Sequence, residues 1–136
     1  MAIQPNVESL QHIEVGVSGP DGANRMFITT GLARTGLYVY SNESTKENYS
    51  LHVEPPLTAS QFRRAIATAA VGEARFNDYD AGQQDGMHWR VDEVDADFDD
   101  EEGKVQLRFT LLVRVTGTGT ASLDTIPFTV TTLAKV

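Results

Sequence analysis

A run of carboxylates between residues 92 and 102 contains the side chains best suited to chemistry. Its members are Asp92, Glu93, Asp95, Asp97, Asp99, Asp100, Glu101 and Glu102. Asp95, Asp97 and Asp99 alternate along one predicted strand face, where their oxygens could together bind Ca²⁺. The EF-hand spacing fails, because Asp100 occupies its glycine position and Gln106 its bidentate glutamate position. We therefore predict no metal site, with Ca²⁺ as the lesser alternative, and expect a solvated surface that discourages edge aggregation.

Two other segments resemble ligand loops only in part. Asp78, Asp80 and Asp85 stand among glycines in residues 77–86, but the glycine spacing of a calcium loop is not met, so we predict an exposed turn. The segment 117–122 has the first glycines of a dinucleotide loop. It lacks the third glycine and lies between two predicted strands, so we interpret it as a connection and predict no cofactor.

The three histidines each have a charged residue two positions away, which places both groups on one side of a strand. The pairs are His12 with Glu14, His52 with Glu54, and His88 with Arg90 and Asp92. Polar strand faces produce such neighbours routinely. The sequence contains neither a Gly-x-Ser-x-Gly elbow nor a His-Glu-x-x-His motif, so we predict that the protein is not an enzyme.

Two tyrosines offer a different kind of surface. Tyr38 and Tyr40 share one strand face, and Leu37 and Val39 share the other. If Leu37 and Val39 point inward, the tyrosines are exposed and can form a contact surface, for which tyrosine is favoured. The alternative is that both faces are buried, one of them beneath a helix.

Composition and charge narrow the class of protein. The chain has 136 residues, 40% of them hydrophobic and 22% charged, which fits one globular domain over residues 1–136. It has no cysteine, which excludes disulfides and thiolate metal sites. The net charge is −8 and the basic residues are scattered, which argues against direct nucleic-acid binding. With no apolar run of about 18 residues and no signal-peptide pattern, we expect a soluble protein of the cytoplasm or a virion.

Alternating apolar residues predict strands along most of the chain. The predicted strand regions are 7–17, 25–30, 36–41, 49–54 and 122–133, together with a long hairpin over 87–116. Pro127 lies inside the last of these, which predicts an edge strand or one that begins near that proline.

Residues 58–71 predict the single helix. Thr58 and Gln61 have the spacing of a capping box, and Gly72 is a plausible end. The residues at helical spacing that would pack on a sheet are Phe62, Ala65, Ile66, Ala69 and Ala70.

The hairpin over residues 87–116 has a definite predicted register. With a loop at residues 100–103, Phe98 lies opposite Val105, Ala96 opposite Leu107 and Val94 opposite Phe109. A bulge near Asp92 and Glu93 then places Val91 opposite Leu111 and Trp89 opposite Val113. All the apolar members of these pairs, Trp89 included, are expected to face the core.

These elements predict an α+β, mainly antiparallel β domain: a sheet, sandwich or small barrel with one helix packed on it. For function we expect a non-enzymatic structural or interaction protein that serves as an assembly subunit. A phage, virion or tail accessory component is one such subunit. The protein would form a homo-oligomer or larger assembly. The alternatives are a small-ligand module with a pocket beneath the helix and an acidic inhibitor or nucleic-acid mimic. The partner-facing residues would be Tyr38, Tyr40, Asp95, Asp97, Asp99, Asp100, Glu101 and Glu102.

Overall fold

A computed structural model describes residues 2–20, 22–79 and 85–135. These residues form eight strands: β1 (Asn6–Gly19), β2 (Gly22–Tyr40), β3 (Ser44–Val53), β4 (Phe62–Ala69), β5 (Glu73–Asp78), β6 (Gly86–Asp99), β7 (Lys104–Thr116) and β8 (Gly119–Lys135). The large sheet has the order β1-β2-β8-β4, with β5 also paired to β8, and the small sheet has the order β3-β7-β6. The described residues are therefore all-β, with antiparallel strand pairs and no helix.

The two sheets face each other across one hydrophobic core. Alternate residues of β7, from Val105 to Val115, are buried, as the hairpin pattern predicts. They meet buried side chains of the large sheet, among them Val39, Leu123 and Ile126. Such two-layer burial is what allows long strands with one apolar face to be stable.

The predicted helix over residues 58–71 is wrong, although its first contact forms. The Thr58 amide donates to Gln61 Oε1 at 2.9 Å, as in a capping box. The turn ends there, and β4 begins at Phe62. Alternate residues of β4, such as Ala65 and Ala67, then pack on the core, while Ile66 points away and is 64% exposed. The alanines of this segment fit the period of a helix and the period of a strand equally well. Pairing with β8 therefore makes the segment a strand despite its local preference for helix.

The prediction that Pro127 marks an edge strand is also wrong, because β8 is paired on both sides. The Pro127 carbonyl accepts from the Ala70 amide at 3.2 Å. In an antiparallel strand, the N–H and C=O of one residue point to the same side. The missing N–H of Pro127 is therefore directed at the junction of β4 and β5, where it costs no ladder bond.

Gly72 makes that junction possible. A Cβ on this glycine would lie 2.7 Å from Pro127 Cδ and 3.0 Å from Thr125 Oγ1. The Gly72 amide also donates to the Thr125 carbonyl at 2.9 Å. The residue predicted to end a helix instead lets the chain run close alongside the edge of β8 from β4 to β5.

The register predicted for the β6–β7 hairpin is confirmed on both sides of its bulge. Phe98 pairs with Val105 and Val91 with Leu111, and the register shifts between Asp92 and Asp95. Across the bulge, Glu93 and Val94 together face a single residue of β7, and Glu93 has a positive φ of 54°. Such a conformation is uncommon for a residue other than glycine and is typical of a bulge.

The prediction that Trp89 belongs to the core is wrong. Trp89 does pair with Val113, but its side chain is 51% exposed. The reason is that β6 is the outer strand of the small sheet. An apolar residue in the correct register can still lie beyond the area that the opposite sheet covers.

The remaining strand predictions differ mainly in length. The regions 25–30 and 36–41 belong to one strand, β2, whose register shifts between Arg34 and Leu37. Strand β5 was not predicted, and its last two residues lie in the segment predicted as a turn. Asp80 and Gly82, on which that prediction also drew, lie outside the described residues.

Candidate interaction surfaces

Three carboxylates of β6 make hydrogen bonds within the chain. Asp95 Oδ2 accepts from Arg108 Nη2 at 2.8 Å. Asp99 Oδ2 lies 2.8 Å from His52 Nε2, and this hydrogen bond lowers the pKa of Asp99. Asp97 accepts from the neighbouring Phe98 amide at 2.8 Å. The strand part of the acidic run is therefore engaged within the chain.

The tip of the same hairpin is exposed. Asp100, Glu101 and Glu102 form its turn and face solvent. The Glu101 amide donates back to Asp99 Oδ1 at 3.1 Å, which shapes the turn. Among the residues that the structure describes, no three His, Cys, Asp or Glu side chains converge where they could hold a metal ion.

The three histidines do not bond to the charged neighbours that sequence spacing placed beside them. His12 Nδ1 instead lies 3.0 Å from Thr29 Oγ1, and His52 bonds to Asp99. The neighbouring Glu14 bonds to Arg25, Glu54 to Lys104, and Asp92 to Arg90. The contacts therefore run mostly across strands, which spacing along one strand does not reveal.

A buried hydroxyl on the outer face of the small sheet was missed by sequence reasoning. Thr110 Oγ1 lies 2.9 Å from Asn48 Oδ1 and 3.0 Å from Glu93 Oε2, at the bulge. A hydroxyl has one proton, so it can donate to only one of these oxygens. If the Asn48 amide is turned over, its nitrogen donates to Thr110, which then donates to Glu93. Beside this network is an open hollow of about 450 Å³ that Asp95 and Arg108 also line.

In the segment 117–122, which the sequence indicated as a connection, only residues 117–118 cross between the sheets, and residues 119–122 already belong to β8. The Gly117 amide donates to Asn42 Oδ1 at 2.9 Å, and the Gly119 amide donates to Ser41 Oγ at 2.8 Å. Residues 41–43 form another crossing between the sheets, from β2 to β3. The two crossings therefore brace each other.

Asp85 lies next to the first of these crossings. Its carboxylate is 3.4 Å from the Thr118 amide and hydroxyl. A hydrogen bond with Asp78 raises the pKa of Asp85. The fold thus brings together Asp78 and Asp85, two of the three aspartates that resemble a calcium loop in the sequence. The third, Asp80, lies outside the described residues.

Tyr38, one of the two tyrosines, lines a groove on the outer face of the large sheet, which we call the tyrosine groove. Tyr38 and Tyr40 are 49% and 59% exposed, and their rings meet edge to face at 5.1 Å. Across β8, Tyr38 is in register with Ser122 and Arg75. Arg75 Nε, which also lines the groove, bonds to Asp124 Oδ2 at 3.3 Å. The groove holds about 620 Å³, with buried hydroxyls as its floor.

The opposite end of the same face is apolar. In one cross-strand row, Ile13, Ile28, Thr131 and Ile66 lie side by side on β1, β2, β8 and β4. The next row contains Val15, Met26, Leu133 and Arg64. We call these two rows the apolar face. Ile13 is 57% exposed and Ile66 is 64% exposed. Outer sheet faces of a sandwich are normally polar, so this surface is unusual for an isolated domain.

Strand β1 borders the apolar face and has a free side. It pairs with β2 along one side only, and among the described residues no strand pairs with its other side. Nearly all of its 14 residues are exposed, so it projects beyond the cover of the small sheet. A long edge strand with exposed N–H and C=O groups is a template for pairing with another chain.

Comparison with protein-family models, curated proteins and solved structures finds no match for this chain. Within the described residues there is also no helix of the length and apolar character needed to cross a membrane.

Proposed function

We propose that this protein is a non-enzymatic assembly subunit, of the cytoplasm or of a virion or phage tail, that acts through contacts between copies of itself. The observation that carries the proposal is the apolar face. Four adjacent strands contribute to it, and its two end residues, Ile13 and Ile66, are more than half exposed. Contiguous exposed apolar surface is characteristic of sites that are covered in an assembly.

A second copy is the occupant that this surface favours. Its apolar residues lie in flat cross-strand rows, so two such faces can stack as sheets do within a sandwich. Self-stacking also leaves the charged surfaces of both copies in water, although each chain carries a net charge of −8. Isologous contacts of this kind are the commonest basis of homo-oligomers.

Analytical ultracentrifugation over a wide concentration range tests this proposal. The wild-type chain should associate, and Ile66→Glu should weaken association roughly 30-fold or more, because a buried unpaired charge opposes contact. Leu112→Glu is the matched control. It makes the same change on the outer face of the small sheet, where Lys46 and Arg90 are its cross-strand neighbours. A wild-type chain that stays monomeric at every concentration would refute the proposal.

Small-ligand binding is the second candidate, and the tyrosine groove favours it. The pocket expected beneath a helix has no counterpart, because residues 62–69 are a strand. The groove instead combines the exposed ring of Tyr38 with hydroxyl, amide and ion-paired groups, the mixture that binding sites use. Arg75 bonds to Glu73 and Asp124, so a neutral polar ligand is better suited than an anion. Ligand-induced shifts of the Ser122 and Arg75 resonances that are lost in Tyr38→Ala would support this function.

The acidic-mimic function has less support. Its strand carboxylates Asp95 and Asp99 bond to Arg108 and His52, so a basic partner would compete with existing contacts. Charge reversal of Asp95, Asp97 and Asp99 should abolish binding to such a partner if the function is real. Unchanged binding would exclude it.

A further inference from the structure

We propose that β1 pairs antiparallel with β1 of a second copy, about a two-fold axis that passes through Val15. The pairing would join two large sheets edge to edge into one continuous sheet. This inference rests on the proposed self-assembly and specifies one of its contacts. Edge pairing uses the free backbone edge of β1, whereas stacking covers the outer face to which Ile13 and Val15 also belong, so both contacts can form at once and build assemblies larger than a dimer.

The regular part of β1 is itself centred on Val15. The β1–β2 register is irregular between Glu8 and Gln11, where Ser9 has a positive φ of 53°. From Gln11 the pairing is uninterrupted as far as Gly19, which faces Gly22 at the hairpin turn. A bulge bends its strand and limits pairing beyond it. The stretch available for a straight ladder therefore runs from residue 11 to residue 19, with Val15 at its midpoint.

The side chains of this stretch match themselves in that register. A two-fold axis normal to the sheet sets residues equally distant from its centre opposite each other and on the same face. With Val15 at the centre, Val15 meets its own copy and Ile13 meets Val17 of the second copy. These three apolar residues share the outer face of β1, so all of them find apolar partners across the new ladder.

Other centres are less favourable. A centre at Glu14 sets two copies of that carboxylate opposite each other, and a centre at Gln11 sets Glu8 opposite Glu14, both of which are like-charge pairs. A centre at Ile13 leaves Val15 opposite Gln11. On the inner face, the Val15 centre places Glu14 opposite Gly16, where a Cβ would have no neighbour within 4 Å in the chain itself.

Disulfide trapping tests the register directly, because the chain has no cysteine of its own. Directly opposed residues of antiparallel strands have Cα atoms about 4.5–5.5 Å apart, within the range that a disulfide spans. Val15→Cys should therefore form a covalent dimer on mild oxidation. Ile13→Cys and Val17→Cys should each form little alone, since the same residue on two copies would be about 13 Å apart along the ladder. A mixture of these two variants should form the heterodimer.

Ile66→Cys is the control, because residue 66 lies on β4, at the opposite edge of the large sheet from β1. Its rate of disulfide formation measures cross-linking by random collision and by stacking of the apolar face. Val15→Cys should cross-link roughly tenfold faster or more than Ile66→Cys in dilute solution, because pairing raises the effective thiol concentration. Efficient cross-linking of Ile13→Cys alone would overturn the register. No advantage of Val15→Cys, in a chain that ultracentrifugation shows to associate, would overturn edge pairing and leave face stacking intact. A monomeric chain would refute the proposed function itself.

Discussion

His52 on β3 and Asp99 at the end of β6 are joined by a hydrogen bond of 2.8 Å that spans the strand between them. The bond ties the two outer strands of the small sheet together at the acidic end of the hairpin. It also explains why Asp99 behaves differently from a free carboxylate, since the hydrogen bond lowers the pKa of Asp99.

The first prediction concerns acid stability. A carboxyl whose pKa is lowered by folding stabilises the native state above its unfolded pKa of about 3.9, and this stabilisation is lost as pH falls through the lower, folded pKa. Asp99→Asn should therefore be less stable than wild type at neutral pH, and the difference should shrink below about pH 4. Urea unfolding at a series of pH values measures it. Asp97→Asn, which removes a carboxylate bonded to its neighbouring amide, is the control; an equal pH trend there would contradict the assignment.

The second prediction concerns the close approach of Gly72 to the edge of β8. Gly72→Ala should destabilise the fold by about 1–3 kcal/mol, because its Cβ would collide with the Pro127 ring. Gly16→Ala is the matched control, since a Cβ there meets nothing within 4 Å. The difference between the two free energies of unfolding, from denaturant titration, is the measurement. Equal stability of both variants would show that the chain does not approach β8 this closely at residue 72.

The third prediction concerns the buried hydroxyl at the bulge. Thr110→Val keeps the shape of the side chain and removes the hydrogen bonds to Asn48 and Glu93, which should cost about 1–2 kcal/mol. Thr116→Val, at the exposed end of the same strand, should change the free energy of unfolding little. A neutral effect at residue 110 would mean that water replaces the lost contacts fully.

The fourth prediction uses charge to test the pairing of β1. In the proposed register, residue 16 faces Glu14 of the second copy twice per dimer. Gly16→Lys should therefore strengthen self-association and Gly16→Glu should weaken it, and both effects should diminish at high salt. Arg25, which pairs with residue 16 in the same chain, affects monomer and dimer alike. It therefore does not change the expectation that the Lys variant associates more strongly than the Glu variant. Sedimentation equilibrium gives both dissociation constants; the same change for Lys and Glu would argue against the register.

The candidate surfaces could be predicted only in part. The spacing of Tyr38 and Tyr40 already placed them on one face, and their exposure follows because Val39 turns inward to the core. The bond between His52 and Asp99 could not be foreseen, because these residues are 47 positions apart and lie on strands that are not neighbours in the chain. Nor could the apolar face, since its rows combine single residues from four strands whose order is set by the sheet.

The sequence by itself determined the β6–β7 hairpin, including its loop and bulge. Strict alternation over many residues leaves one register in which apolar residues oppose apolar residues, so local pattern and pairing agree. Residues 62–69 are the opposite case. Their alanine-rich sequence fits the period of a helix or of a strand, and the turn at Thr58 can lead into either element. Only the tertiary structure decided that segment: β8 offers a free edge, and the hydrogen bonds and burial gained there outweigh a weak helical preference.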